Sequence, residues 1–241
     1  MSTFFSVIIP AHNEENRLPD TLEQVQRFLE GQPFTFEIVI VENGSADGTL
    51  EVAQGFAQRH ANVRVIQSER GKGAAVKHGM LEAKGEYRFM CDADLSMPVE
   101  EITNFIPPAL RDVDIAIASR EAKGAVRYNE PYYRHLGGRL VNFIIKLFIL
   151  PGLNDTQCGF KCFRADVADK LFNLQTLEGW SFDIELLYLA RRHGHSIREI
   201  PIHWYHDMET KVRALPDAIR MVRDIFLIHA NARRGIYDEA R

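Results

Sequence analysis

The sequence predicts an α/β protein with a largely parallel central sheet covered by helices on both faces. Three observations predict it. Short apolar, strand-like runs alternate with helix-periodic segments through the first 119 residues, with little chain between them. The apolar share is 46% of 241 residues and the charged share 26%, so the chain can bury a sizeable core and is not a disordered one. Each strand-like run also gives way to polar, loop-forming residues, and open sheets of this kind bind ligands at the carboxyl ends of their strands.

Taken in order, residues 4–10 form a buried strand, and residues 17–30 carry Leu18, Leu22, Val25 and Leu29 at helical spacing. A strand over 36–41 is followed by a helix over 47–60 with Leu50, Ala53 and Ala57 inward. The rhythm continues with strands over 63–66, 87–91 and 115–118 and helices over 72–83 and 99–110. Residues 140–150 are apolar around most of a helix, interrupted only by Asn142 and Lys146; the run is too short to span a bilayer and fits either core burial or an interfacial helix. A strand is expected over 197–205. An amphipathic helix follows over 216–230, with Ile219, Val222, Phe226 and His229 on one side and Arg220 and Arg223 nearby.

Several function classes fall away on composition. Residues 1–119 hold 10 Lys+Arg against 18 Asp+Glu, a net −8, and residues 120–241 hold 19 against 15, a net +4. An acidic half suited to a cation therefore precedes a basic half suited to anions, but the basic residues are too scattered for a nucleic-acid partner. No Gly-x-Gly-x-x-Gly follows the first strand, and Gly71-Lys72-Gly73 lacks the spacing and the Ser/Thr of a P-loop. Cys91, Cys158 and Cys162 are an odd, sparse set that implies reduced thiols in the cytoplasm and completes no zinc site. The N-terminus lacks the features of a signal peptide, and no apolar run reaches membrane-spanning length.

The strand ends carry the chemistry. Asp92-Ala93-Asp94 follows the strand over 87–91, and period-2 geometry sends both acids to one face as the chain leaves the sheet. Paired hard oxygen ligands there suit a divalent metal carrying a diphosphate, or more plainly a turn or a helix cap. Glu42 and Asn43 can accept from and donate to a base and ribose. Lys72, flanked by Gly71 and Gly73, offers a cation and close backbone approach to phosphates. Each also has a plainer role, with Asp47 as an N-cap and the glycines as turn residues.

These residues resemble the nucleotide-sugar-dependent glycosyltransferases of family 2. The resemblance runs through Pro10-Ala11-x-Asn13-Glu14, the loop over 42–49, Gly71-Lys72-Gly73, Asp92-x-Asp94 and Ser119-Arg120. It continues through the segments over 155–161 and 180–185, which are most similar to the dolichyl-phosphate β-glucosyltransferase branch. Two departures stand out: Glu42-Asn43 replaces the two aspartates of many relatives, and the hydrophobic anchor of some branch members is missing.

The resemblance implies a glycosyltransferase A-type fold: one domain over 1–241, with residues 1–119 as the nucleotide-sugar half and 120–241 as a partly helical acceptor half. It implies an inverting transfer of a hexose, glucose favoured, from a nucleotide diphosphate sugar (UDP-glucose or GDP-mannose) to a polyprenyl phosphate. Mg²⁺ or Mn²⁺ would be held by Asp94 and Asp92, with Asp94 and Asp155 at the reaction centre. Pro10, Ala11, Asn13, Glu15, Glu42, Asn43, Lys72, Gly73, Asp92 and Ala93 would line the nucleotide-sugar site. Arg120 and Arg134 match positions that hold the acceptor phosphate, a task suited to the planar guanidinium. Lys211 and Arg213, grouped with them, would close over the diphosphate or remain solvated loop charges. The expected location is peripheral, at the cytoplasmic face of the membrane. Three alternatives stay open: a mannosyltransferase, a soluble acceptor with Asp183 or Glu185 as base, and a catalytically silent binding module. Trp180 and Trp204 are expected to pack the core, with sugar contact open for Trp180.

Overall fold

The computed structural model describes residues 2–132, 139, 142, 144–206 and 214–238. Seven strands form one sheet in the order β3-β2-β1-β4-β7-β5-β8. They are β1 (Phe5–Ala11), β2 (Phe36–Glu42), β3 (Val63–Gln67), β4 (Tyr87–Met90), β5 (Ile115–Ser119), β7 (Lys161–Arg164) and β8 (Ile197–Pro201). Every neighbouring pair is parallel except those made by β7, which is antiparallel to both β4 and β5. A separate pair joins β6 (Val126–Tyr128) and β9 (His203–Tyr205) in parallel.

Strand alternation divides the core between the two faces of the sheet. Val7, Ile9, Ile38 and Ile40 face α1 (Leu18–Glu30) and α2 (Thr49–Arg59). Ile8, Val39 and Val41 face α3 (Lys72–Glu82), α4 (Ala165–Leu174) and α5 (Phe182–Arg192). Helix α1 buries Leu18, Leu22, Val25 and Leu29, the stripe its sequence predicts. Helix α3 lies tight on the sheet because Gly79 has no side chain: a Cβ there would stand 2.4 Å from Ile8 Cγ2 and 2.7 Å from Val41 Cγ2. That approach fixes the start of α3, and with it Lys72, at the carboxyl end of the sheet.

The structure corrects several expectations. Residues 99–105 are a 3-10 helix, shorter than the helix expected over 99–110. The strand expected over 197–205 is two strands in different sheets, β8 and β9, broken at Ile202. In α2 the inward residues are Ala53 and Phe56, while Leu50 and Ala57 are half-buried. The last helix, α6 (Ala214–Arg233), buries Ile225 and Ile228 and leaves Ile219, Val222 and Phe226 exposed, so the stripe read from the sequence is its outer face. Among the described residues no helix is long and apolar enough to cross a membrane.

Candidate active site

The loops after β1, β2, β3 and β4 share one rim because these strands are parallel neighbours. The first two are laced together. Ala46 N donates to Asn13 Oδ1 (2.8 Å), Asn13 N to Ser45 Oγ (3.0 Å), Gly48 N to Glu15 Oε2 (2.8 Å) and Glu15 N to Asp47 Oδ2 (3.2 Å). Asn13 takes φ +53, a conformation asparagine tolerates better than most residues. Asp47 accepts from Thr49 N at 3.1 Å and so helps to start α2, although the capping residue itself is Gly48. Pro10 and Ala11 close β1 beneath this lattice.

Glu42 and Asn43 sit deeper than a direct base contact requires. Both are 4% exposed. Glu42 accepts from Ser45 N (2.5 Å) and Gln67 Nε2 (3.2 Å); burial raises its pKa, but these donors outweigh burial and hold it below the usual carboxylate range. Asn43 Nδ2 donates to Ser68 Oγ, Glu69 O and Gly71 O, and its Oδ1 accepts from Gly71 N. Asn43 is thus the clasp that shapes the loop after β3. The glycines there also differ from expectation. A Cβ on Gly71 (φ +144) would meet Glu178 O at 2.5 Å, and one on Gly73 would meet Leu177 O at 2.7 Å. Gly73 N and Ala74 N both donate to Glu178 O. The close approach at Gly71 and Gly73 is therefore to the chain at 177–178, which takes the place predicted for a phosphate.

Lys72 reaches the acidic turn. Its Nζ lies 2.8 Å from Asp92 Oδ1, 3.0 Å from Asp92 Oδ2 and 4.9 Å from the centre of the Trp180 ring. Burial disfavours the ammonium, but Asp92 and Asp183 more than compensate, so its pKa is raised and it stays charged. Asp94 is exposed to solvent, with Oδ1 accepting from Ser96 N at 3.0 Å. Desolvation by the surrounding chain and then the neighbouring Asp92 charge raise its pKa, a state that a bound cation would relieve. Leu95 takes φ +42, a costly conformation for a branched side chain. It is held by Thr21 Oγ1 donating to Ala93 O (2.6 Å) on one side and Tyr205 N donating to Ser96 O (2.8 Å) on the other. Among the described residues no cluster of three or more His, Cys, Asp or Glu could hold a metal by itself. Mg²⁺-type ions in general are held by one or two carboxylates and share substrate phosphates for the rest of their shell.

Asp155 is fully buried, which departs from a carboxylate open to the reacting atoms. It accepts from Arg120 Nε (2.6 Å), Nη2 (2.9 Å) and backbone N (3.0 Å). Burial pushes its pKa up, but the guanidinium prevails and lowers it to about 2. Glu199 in turn accepts from the backbone N of both Asn154 and Asp155. Asp155 therefore aims Arg120. The Arg120 guanidinium and that of Arg127 both lie over the Trp204 ring, at 5.4 and 5.9 Å, so Trp204 packs against the core as expected and also floors an arginine pair. Arg134, Lys211 and Arg213 lie outside the described residues.

The alternative base candidates are occupied. Glu185, fully buried, accepts from Thr176 N, Thr176 Oγ1, Leu177 N and the Tyr237 hydroxyl. Asp183 is buried beside Lys161, 2.8 Å away. Cys91, Cys158 and Cys162 are free and buried, and burial pushes the Cys158 thiol up to about 12. Sequence reasoning missed Gly159, Lys161 and Arg127. The signal for the first two was present in the Cys158-to-Lys161 run, but only β7 shows which way they face.

A mostly parallel sheet with an acidic turn, a lysine and a buried aspartate–arginine pair gathered at its strand ends is the architecture of a sugar-nucleotide transferase. The chain belongs to glycosyl transferase family 2, whose model matches residues 6–172. Its relatives include the dolichyl-phosphate β-glucosyltransferase of Drosophila melanogaster, 38% identical over 92% of this chain and 73% of that protein. The human and Saccharomyces cerevisiae proteins of the same name are each 31% identical, over 96% and 97% of this chain and 76% of their own lengths. The fold is shared with glucosyl-3-phosphoglycerate synthase of Mycobacterium tuberculosis, solved with Mn²⁺, UDP-glucose and phosphoglyceric acid. The TM-score is 0.71, with 17% identity and 98% of this chain and 82% of that one covered.

Proposed function

We propose that this chain is an inverting transferase that moves glucose from UDP-glucose to a polyprenyl phosphate of the dolichyl kind. One observation carries the reading. In a chain so similar to dolichyl-phosphate β-glucosyltransferases, Asp92, Asp94 and Lys72 meet at the strand-end rim, and a buried carboxylate orients Arg120.

An oxygen of the acceptor phosphate attacks the anomeric carbon, and the bond from that carbon to the diphosphate oxygen breaks with its electron pair leaving on UDP. The second pKa of a phosphate monoester is about 6, so the nucleophile is already mostly ionised and no strong general base is needed. The occupied state of Glu185 and Asp183 is compatible with that requirement. Asp94 and Asp92 would hold Mg²⁺ or Mn²⁺, which when bound offsets charge on the departing diphosphate. Lys72 adds a fixed positive charge to the same task. Arg120, held by Asp155, would receive the acceptor phosphate together with Arg134, which matches a family position for it, and Lys211 and Arg213 would close over the diphosphate. Residues 1–119 would form the donor half and 120–241 the acceptor half of one domain.

Peripheral contact with the membrane fits this acceptor. Leu147 (62% exposed), Phe148 (59%), Ile219 (64%) and Phe226 (68%) stand outward. His229 Nε2 donates to Phe148 O at 3.1 Å, tying the two apolar segments to each other. Lys146, Arg220 and Arg223, also exposed, add positive charge suited to anionic headgroups. Three unpaired cysteines favour the cytoplasmic face.

The test is a donor and acceptor screen with a short-chain polyprenyl phosphate and Mn²⁺. Glucose should transfer from UDP-glucose to give a β-linked lipid phosphate; transfer only from GDP-mannose, or only to a soluble acceptor, would overturn the assignment.

A further inference from the structure

We propose that Gly159 and the buried Lys161–Asp183 pair are positioning residues for Asp92, forming a wall that holds its carboxylate against Lys72. The inference rests on the reading above that Asp92 and Asp94 serve a cation-bound nucleotide diphosphate.

Asp92 is confined from two sides. Lys72 Nζ faces both carboxylate oxygens on one side, and the bare Cα of Gly159 lies on the other. A Cβ on Gly159 would stand 2.2 Å from Asp92 Oδ2 and 2.6 Å from its Cγ, so any side chain there displaces the carboxylate. The glycine is required by this contact, since its backbone conformation is one that other residues adopt.

The wall has its own anchor. Lys161 stands on β7 opposite Met90, one residue before β4 gives way to Cys91 and Asp92. Its side chain is almost wholly buried, yet its Nζ lies 2.6 Å from Cys158 O and 2.8 Å from Asp183 Oδ1. The ammonium thus fixes the carbonyl that leads into Gly159, while Asp183, from the first turn of α5, fixes the ammonium. A buried ion pair is not the cheapest way to fill a core, because well-packed apolar residues in its place are often neutral or stabilising. Its location argues for positioning. The charges run Asp183, Lys161, then the Cys158-Gly159 turn, then Asp92 and Lys72, a layer directly beneath the acidic turn.

The experiment compares wild type, Gly159→Ala and the double variant Lys161→Met with Asp183→Leu. Each is measured for thermal midpoint, for affinity toward UDP with Mn²⁺ by calorimetry, and for the KM of UDP-glucose and of the polyprenyl phosphate. The double variant should melt at or above the wild-type temperature yet bind Mn²⁺ and UDP at least tenfold more weakly. Gly159→Ala should show the same loss, with the donor KM raised and the acceptor KM unchanged. Wild-type affinity in a folded double variant, or in Gly159→Ala, would overturn the proposal. If wild type itself fails to bind Mn²⁺ and UDP, the functional reading falls first and this one with it.

Discussion

Asp94 carries little structural duty for an acidic side chain on the rim. It is exposed and, among the described residues, makes its hydrogen bonds only to the neighbouring Ser96. Asp94→Ala is therefore expected to retain the wild-type melting temperature within a few degrees and to lose about a hundredfold or more of metal-dependent turnover. Thermal unfolding and steady-state kinetics in Mn²⁺ measure the two sides. Asp155 is the opposite case, since its carboxylate is lowered to about 2 from an ordinary 3.8 by Arg120. A depressed folded pKa gives stability that is fully present above about pH 4 and is lost as pH falls through 2. The shift corresponds to about 2 kcal/mol. Urea titrations from pH 6 to pH 2 should show this acid-side loss in wild type, and Asp155→Asn, less stable at neutral pH, should show a shallower one.

The elements of the first half were legible because parallel strands buried on both faces read as unbroken apolar runs and their helices carry clean stripes. β1, α1, β2, α2, β3, α3, β4 and β5 all fall where the sequence predicts them. The second half was harder for physical reasons. Lys161 is a buried charge at the start of a four-residue strand, which disguises β7, and Pro201 and Ile202 hide the break between β8 and β9. In α5, buried Asp183 and Glu185 make a core helix look like a functional motif. The site was legible in identity more than in role. The rim residues do converge, but Asn43, Gly73 and Asp155 turn inward to hold the chain, and nothing in their spacing separates a clasp from a contact.

Glu185 joins the 176–177 chain, α5 and Tyr237, so Glu185→Ala should cost about 2–4 kcal/mol in chemical denaturation, because the donors around it are left buried. For the apolar face of α6, Phe226→Glu should reduce cosedimentation with anionic vesicles several-fold at an unchanged melting temperature. Undiminished vesicle binding would remove α6 from the membrane contact.

Across the whole molecule, charge and topology agree. The acidic first half supplies the turn that ends β4, and the basic second half supplies Arg120 and the exposed cations around residues 146 and 220–223. β7 is the hinge of this design, because its antiparallel insertion between β4 and β5 sets Asp92 and Lys161 in one layer and carries Asp155 back to Arg120. The acidic turn and Arg120 therefore both lie at strand ends of a single sheet, with the exposed apolar segments in the second half of the chain. The most direct measurement is glucose transfer from UDP-glucose to a short polyprenyl phosphate, followed with Mn²⁺ and with excess chelator, in wild type and in Asp94→Ala. Transfer that requires both the cation and Asp94 is the predicted result; full transfer in chelator, or by Asp94→Ala, would contradict the account.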